Sequence, residues 1–141
     1  MTAFTWALVT ACVWGVVPLM EAVGLRHAQT PPIIGVMVRS LGVAVGCAVV
    51  ALLGSPWSAM RAMGWPACLL LVTGGFLASF VGQVAFYHAL RSGAVSQVTP
   101  VAGAYPLIAA LLGWLLLREP LSPSRALGVA CIIVGVILLR R

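Results

Sequence analysis

The amino-acid sequence predicts an all-α membrane protein whose five apolar segments each cross the bilayer, leaving the N- and C-termini on opposite sides. Of its 141 residues, 62% are hydrophobic and only 7% are charged. The mean hydropathy is +1.14. A water-soluble domain needs more polar surface than this to cover its core. The apolar runs are roughly 20 residues long, as a helix needs in order to cross about 30 Å of hydrocarbon.

Short polar turns separate these segments and set their bounds. Lipid offers no partners to free backbone groups, and the alternation of a membrane barrel is absent, so each run is expected to be helical. Ser122-Pro123 predicts the start of the last helix, because a hydroxyl cap followed by proline favours a helix N-terminus. The chain is expected to form a single five-helix transmembrane domain over residues 1–141, with helices at about 4–23, 33–53, 65–89, 94–117 and 123–139.

The charged residues and cysteines exclude several functions. All eight basic residues are arginines scattered between apolar blocks, which is typical of membrane loops and argues against nucleic-acid binding. The cysteines lie alone in apolar segments without metal-ligand spacing, so neither a metal nor a cofactor is expected. Glu21 and Glu119 belong to opposite membrane sides and cannot form an acid–base pair, so the chain is not expected to be an enzyme. The absence of lysine suggests a bacterial protein, placed in the inner membrane.

The arginines outside the apolar segments are nearly balanced between the two membrane sides. One side holds the first loop, the third loop and the C-terminus, with Arg26, Arg91, Arg140 and Arg141. The other side holds Arg61, Arg118 and Arg125. This small difference slightly favours a cytoplasmic C-terminus. It is compatible with a single orientation, and also with insertion in both orientations to build an antiparallel dimer.

Glu21 and Arg39 are charged residues inside apolar segments. Glu21 lies near the first-loop end of segment one, and Arg39 lies roughly 10 Å into segment two from the same loop at 1.5 Å per residue, so the two side chains are expected on the same side of the bilayer. Glu21 is either a coupling group for protons or substrate, or a structural partner of Arg39 or of the headgroups. Trp14 lies seven residues before Glu21, and this spacing places the two residues on the same face of the helix.

Polar groups also line the third segment. Gln83 is either an inter-helix hydrogen-bonding group or a cavity-lining group, because exposing its amide group to lipid costs free energy. Tyr87 lies near the membrane interface, where aromatic anchoring is the common role.

The fourth segment is interrupted by Pro100 and Pro106, which free backbone carbonyls. Transporters place binding sites at such broken helices, so a cavity-lining role is favoured over a plain packing kink, with Tyr105 nearby. In the fifth segment, Gly128, Cys131 and Gly135 form a small-residue stripe, a candidate dimer or inter-repeat contact.

The run AFYHALRSGAVSQVTP, residues 85–100, resembles the EamA-type branch of the drug/metabolite transporter superfamily. The resemblance continues through Tyr105-Pro106, Gly113 and Glu119, and includes Trp14 and Arg39 earlier in the chain. Members of that family typically carry two inverted five-helix repeats around a central path, and this sequence has one. The resemblance implies that a second copy supplies the other half, as an antiparallel homodimer in the lipid bilayer. It also implies that helix five is peripheral and that Glu119 is structural.

Carried over by position, the residues on or near the path are Trp14, Arg39, Tyr87, Pro100, Tyr105 and Pro106. The function expected is transport of a small-molecule solute by alternating access, with Glu21 coupling it to protons. Two alternatives stay open. In the first, the chain is a non-transporting assembly or regulatory subunit. In the second, it is an isolated half of a ten-helix transporter.

Overall fold

A computed structural model describes residues 2–54, 57–120 and 122–139, and the regular structure over these residues is helical. The elements in order are α1 (Ala3–Ala28), α2 (Pro32–Leu53), α3 (Trp57–Ala62), α4 (Trp65–Phe76), a π-helix (Leu77–Gly82), α5 (Gln83–Ser92), α6 (Val95–Ala102), α7 (Tyr105–Leu117) and α8 (Pro123–Leu139).

The described residues contain four helical stretches long and apolar enough to cross a membrane, and α8 is a shorter apolar helix of 17 residues. The four long stretches are Ala3–Ala28, Pro32–Leu53, Trp65–Ser92 and Val95–Leu117. The all-helical, multi-pass membrane fold is therefore confirmed. The count of five spans and the opposite placement of the termini stay predictions.

Two local features were not predicted. The connection before the third span contains the short helix α3, whose six residues are too few to give a periodic apolar signal. The third span also changes to a π-helix at Leu77–Gly82 before α-helix resumes at Gln83. A π segment widens the turn and rotates the residues that follow it relative to α4.

The chain divides into two compact units, Met1–Ser92 (unit one) and Gly93–Arg141 (unit two), and each is described by itself. In unit one, α5 packs against α1 and α2. The apolar side chains buried there are Ala22, Leu25, Val36, Tyr87 and Leu90. Pro18 of α1 and Pro32 of α2 are buried as well. Together with these prolines, the buried residues repeat at three- or four-residue spacing, which places them on one face of each helix.

In unit two, α8 packs against α6 and α7. The hydroxyl of Ser122 accepts a hydrogen bond from the backbone N–H of Arg125 at 3.3 Å, which confirms the cap predicted for this helix. Most large apolar side chains of both units are exposed, as expected when lipid rather than water is the solvent.

Candidate functional site

A group of interacting charged and polar side chains in unit one lies about 10 Å below the first loop, within the apolar segments. Nε of Arg39 donates to Oε1 of Glu21 at 3.0 Å. Nε2 of Gln83 lies 3.3 Å from Oε1 and 3.2 Å from Oε2 of the same carboxylate. Tyr87 interacts electrostatically with these three residues. We call Glu21, Arg39, Gln83 and Tyr87 the Glu21 cluster.

Three helices supply this cluster. Glu21 comes from α1, Arg39 from α2, and Gln83 and Tyr87 from α5. Gln83 and Tyr87 are four residues apart and therefore share one face of α5. The Glu21–Arg39 ion pair, one of the alternatives left open for Glu21, is present. Gln83 forms the inter-helix hydrogen bond that was one of its two predicted roles.

Tyr87 occupies a different environment from the one its interface position suggested. Its side chain is only 2% exposed. A Cβ atom added to Gly35 would lie 2.9 Å from Cε2 of Tyr87 and 2.7 Å from Cδ2 of Leu25. Since the ring is packed between helices, it does not serve as an aromatic anchor at the membrane surface.

The two charged partners differ in exposure. The side chain of Glu21 is 11% exposed, whereas that of Arg39 is 33% exposed. Both carboxylate oxygens of Glu21 accept hydrogen bonds. Both oxygens of the Glu21 carboxylate are therefore engaged, while part of the Arg39 side chain stays exposed.

The remaining predicted path residue of unit one is Trp14. It lies on α1 two turns before Glu21, or about 10 Å along the helix axis. Its side chain is 57% exposed. Trp14 is thus placed on the same helix as the cluster but at a greater depth in the bilayer.

Arg26 and Arg91 form a basic feature at the end of unit one that the sequence did not single out. Nη2 of Arg26 donates to the backbone oxygen of Leu90 at 3.5 Å, close to the C-terminus of α5. An open hollow of about 340 Å³ is lined by Leu25, Arg26, Gln29 and Arg91. Cations near a helix C-terminus stabilise it, so this arginine ties the ends of α1 and α5 together.

The predicted break in the fourth span is present in unit two. Helix α6 contains Pro100 and ends at Ala102, and α7 begins at Tyr105 with Pro106 in its first turn. The backbone N–H of Gly103 donates to the oxygen of Thr99 at 2.7 Å, which closes the end of α6. Proline has no N–H and clashes with the preceding turn, which is the physical reason for the interruption.

The hydroxyl of Thr99 lies beside this break. Among the described residues, it is a buried side-chain oxygen with no hydrogen-bond partner. Gly103 approaches so closely that an added Cβ would lie 3.1 Å from the backbone oxygen of Thr99. The break is therefore a place of irregular, tightly packed backbone at membrane depth.

The small-residue stripe of α8 faces open space. An added Cβ at Gly128 or Gly135 would meet no described atom within 4 Å, and Cys131 is exposed with a free thiol.

Glu119 lies elsewhere in unit two, with its carboxylate 3.5 Å from the Cβ position of Gly113. Its backbone N–H also donates to the oxygen of Gly113, which supports the structural role expected for it.

No group of three or more metal-ligating side chains comes together within the described parts of the chain. The charged chemistry of unit one is thus carried by the Glu21 cluster and by the two arginines at the helix ends. In unit two the helix break is the feature of interest.

Comparisons with known proteins agree with this description. An uncharacterized protein of Methanocaldococcus jannaschii is 37% identical over 59 residues, which cover 42% of this chain and 43% of that relative. The match thus spans less than half of the relative's length. No solved structure matches the chain. The sequence pattern of the EamA-like transporter family matches residues 1–141, and the chain therefore belongs to the EamA-like transporter family of membrane proteins.

Proposed function

We propose that the protein moves a small solute across the membrane by alternating access, as an antiparallel homodimer coupled to protons. The observation that carries this proposal is the Glu21–Arg39 ion pair, held at 3.0 Å within apolar helices of a transporter-family chain. Ionisable groups at membrane depth are costly, and where they occur they commonly mark substrate or proton pathways.

The residues that we assign to the path are those carried over from the family resemblance, together with the residues of the Glu21 cluster. Trp14 and the Glu21 cluster belong to unit one, and Pro100, Tyr105 and Pro106 belong to the helix break of unit two. The break supports this assignment because irregular backbone at membrane depth is tolerated where it lines a cavity or is covered by protein. Broken helices recur at the binding sites of transporters for this reason.

Proton coupling is assigned to Glu21. When this carboxylate is ionised, it attracts Arg39 and joins α1 to α2. When it takes up a proton, most of this attraction is lost, and the contact between the two helices weakens. A proton therefore has different affinities for conformations with the pair closed and open, which is the requirement for coupling.

The dimer supplies the second half of the path. The nearly balanced arginines are compatible with insertion in both orientations. The open stripe of Gly128, Cys131 and Gly135 offers a surface on which another helix can pack closely. Two copies related by inversion reproduce the inverted repeats on which alternating access depends.

Reconstitution tests the proposal. Purified protein is placed in liposomes that contain a pH-sensitive dye, and gradients of amino acids, sugars, nucleotide sugars and drugs are applied in turn. We expect at least one solute to change the internal pH in the wild type. Glu21→Gln should abolish the pH change, while Glu119→Gln, which alters the other acidic side chain, should retain it. Absence of flux for the whole panel would favour a non-transporting subunit.

A further inference from the structure

Arg39 presents an unused edge. Its Nε atom donates to Glu21, whereas no acceptor among the described residues lies within hydrogen-bonding distance of Nη1 or Nη2. The side chain of Arg39 is one-third exposed. A guanidinium carries five N–H donors in a planar fork, and on the edge opposite Nε one N–H from each Nη atom forms a parallel pair.

We propose that this edge of Arg39 binds a carboxylate or phosphate group of the transported solute. The inference rests on the proposed transport function and adds the chemical class of its substrate. Two parallel N–H donors match the two oxygens of a carboxylate or phosphate, and such bidentate pairs are both strong and directional. At membrane depth the free energy gained from this pairing is larger, because a poorly solvated N–H donor that has no acceptor is costly.

The surrounding residues hold this edge in place. Glu21 fixes Nε, and Gln83 in turn holds both oxygens of Glu21. The ring of Tyr87 packs against Gly35, which lies one turn before Arg39 on α2. A protonated Glu21 keeps a carbonyl oxygen that can still accept from Nε, so this orientation does not require the charge of the pair. A donor pair that is already oriented loses little conformational entropy when a ligand binds, so the site is preorganised.

Charge balance links anion binding to the proton. The charged or titratable groups against Glu21 are Arg39 of α2 and Tyr87 of α5, and Gln83 is neutral. An anion beside the ionised pair would leave one uncompensated negative charge, which is expensive at this depth. With a proton on Glu21, Arg39 and the anion form a neutral pair. The anion and one proton therefore load together.

Binding is measured on detergent-solubilised, lipid-depleted protein by the rise of its thermal unfolding midpoint with probe concentration. The probes are sodium propionate and inorganic phosphate, with sodium chloride at equal ionic strength and ethylammonium chloride as the cationic comparison. We expect propionate or phosphate to stabilise the wild type and both comparison salts to have no such effect. Arg39→Lys, which keeps the charge but loses the fork, should weaken binding about 10- to 100-fold.

Two further variants sharpen the test. Arg61→Lys, at an exposed position of α3, should bind as the wild type does. Uptake of one proton per anion predicts that wild-type affinity falls about tenfold for each pH unit once Glu21 is ionised. Glu21→Gln should bind the anion with an affinity that does not change with pH. Both variants keep a polar side chain of similar size, so loss of folding does not account for these differences.

Three outcomes overturn the inference. The first is equal stabilisation of the wild type and Arg39→Lys. The second is displacement of propionate by added phosphatidylglycerol, which would identify a lipid phosphate as the occupant. The third is transport of a neutral or cationic solute into liposomes at a rate that anions do not change. In that case the transport proposal stands, and the proposal that Arg39 binds an anion fails. Anion binding without flux of any solute would instead sink the transport proposal.

Discussion

The ring of Tyr87 lies so close to the backbone of Gly35 that a single added methyl group would stand 2.9 Å from its Cε2 atom. This contact brings α5 against α2, just beside the Glu21–Arg39 ion pair. The position at 35 therefore controls how near the three helices of unit one approach one another.

Substituting Gly35 by alanine should destabilise the protein. The new methyl group would meet Leu25 at 2.7 Å as well as Tyr87, and such overpacking costs about 1–3 kcal/mol. Unfolding by SDS titration in mixed micelles measures the loss. Gly75→Ala is the matched control, since its Cβ meets nothing within 4 Å, and it should be neutral or slightly stabilising. Equal effects of the two substitutions would contradict the packing described here.

The Glu21–Arg39 ion pair should appear as a coupling energy in a double-mutant cycle. Glu21→Gln and Arg39→Gln each leave a polar partner behind, and the interaction between them should be about 0.5–3 kcal/mol. The same SDS titration gives all four stabilities. A cycle of Glu21→Gln with Arg61→Gln serves as the control and should be additive. Additivity in both cycles would mean that the ion pair contributes nothing to stability.

The helix break in the fourth span should matter more for transport than for folding. Pro100→Ala restores a backbone N–H within α6 and favours a straighter helix, so we expect flux in proteoliposomes to fall at least about tenfold with little loss of stability. Pro123→Ala, at the first position of α8, changes a proline where no helical N–H is required and should retain flux. Equal flux in both variants would remove the break from the proposed path.

Insertion in both orientations is testable with a reporter cysteine. The four cysteines are exposed and free, so they are first replaced by alanine, and a cysteine is then introduced at Thr30 between α1 and α2. An impermeant maleimide applied to intact cells should label about half of the molecules, because the arginines are nearly balanced. Adding Arg61→Ala should shift the labelled fraction. Labelling of all or none of the molecules would exclude the antiparallel dimer.

Much of the fold follows from local properties of the chain. Apolar length predicted the membrane-spanning helices, Ser122 predicted the cap of α8, and Pro100 with Pro106 predicted the break between α6 and α7. Each of these depends on residues within a turn or two of one another. The Glu21–Arg39 pair was also foreseeable, because both charges lie at similar depth on helices that share a short loop.

Other features have no local signal. The π-helix at Leu77–Gly82 and the short helix α3 follow no pattern in the sequence. The interface role suggested for Tyr87 was wrong, because a tyrosine near a membrane surface looks the same in sequence whether it faces lipid or a neighbouring helix. Only the absence of a side chain at Gly35, on another helix, makes room for its ring.

The amino-acid sequence alone determined that lipid surrounds the protein, that the fold is helical and which family it belongs to. These properties depend on composition, segment length and motif spacing. The tertiary structure decided which groups meet: the Gln83 amide with the Glu21 carboxylate, the Tyr87 ring with Gly35, and Nε of Arg39 with Glu21. The reason is that a helix rotates each side chain by a fixed angle, but only packing against neighbouring helices decides what that side chain faces.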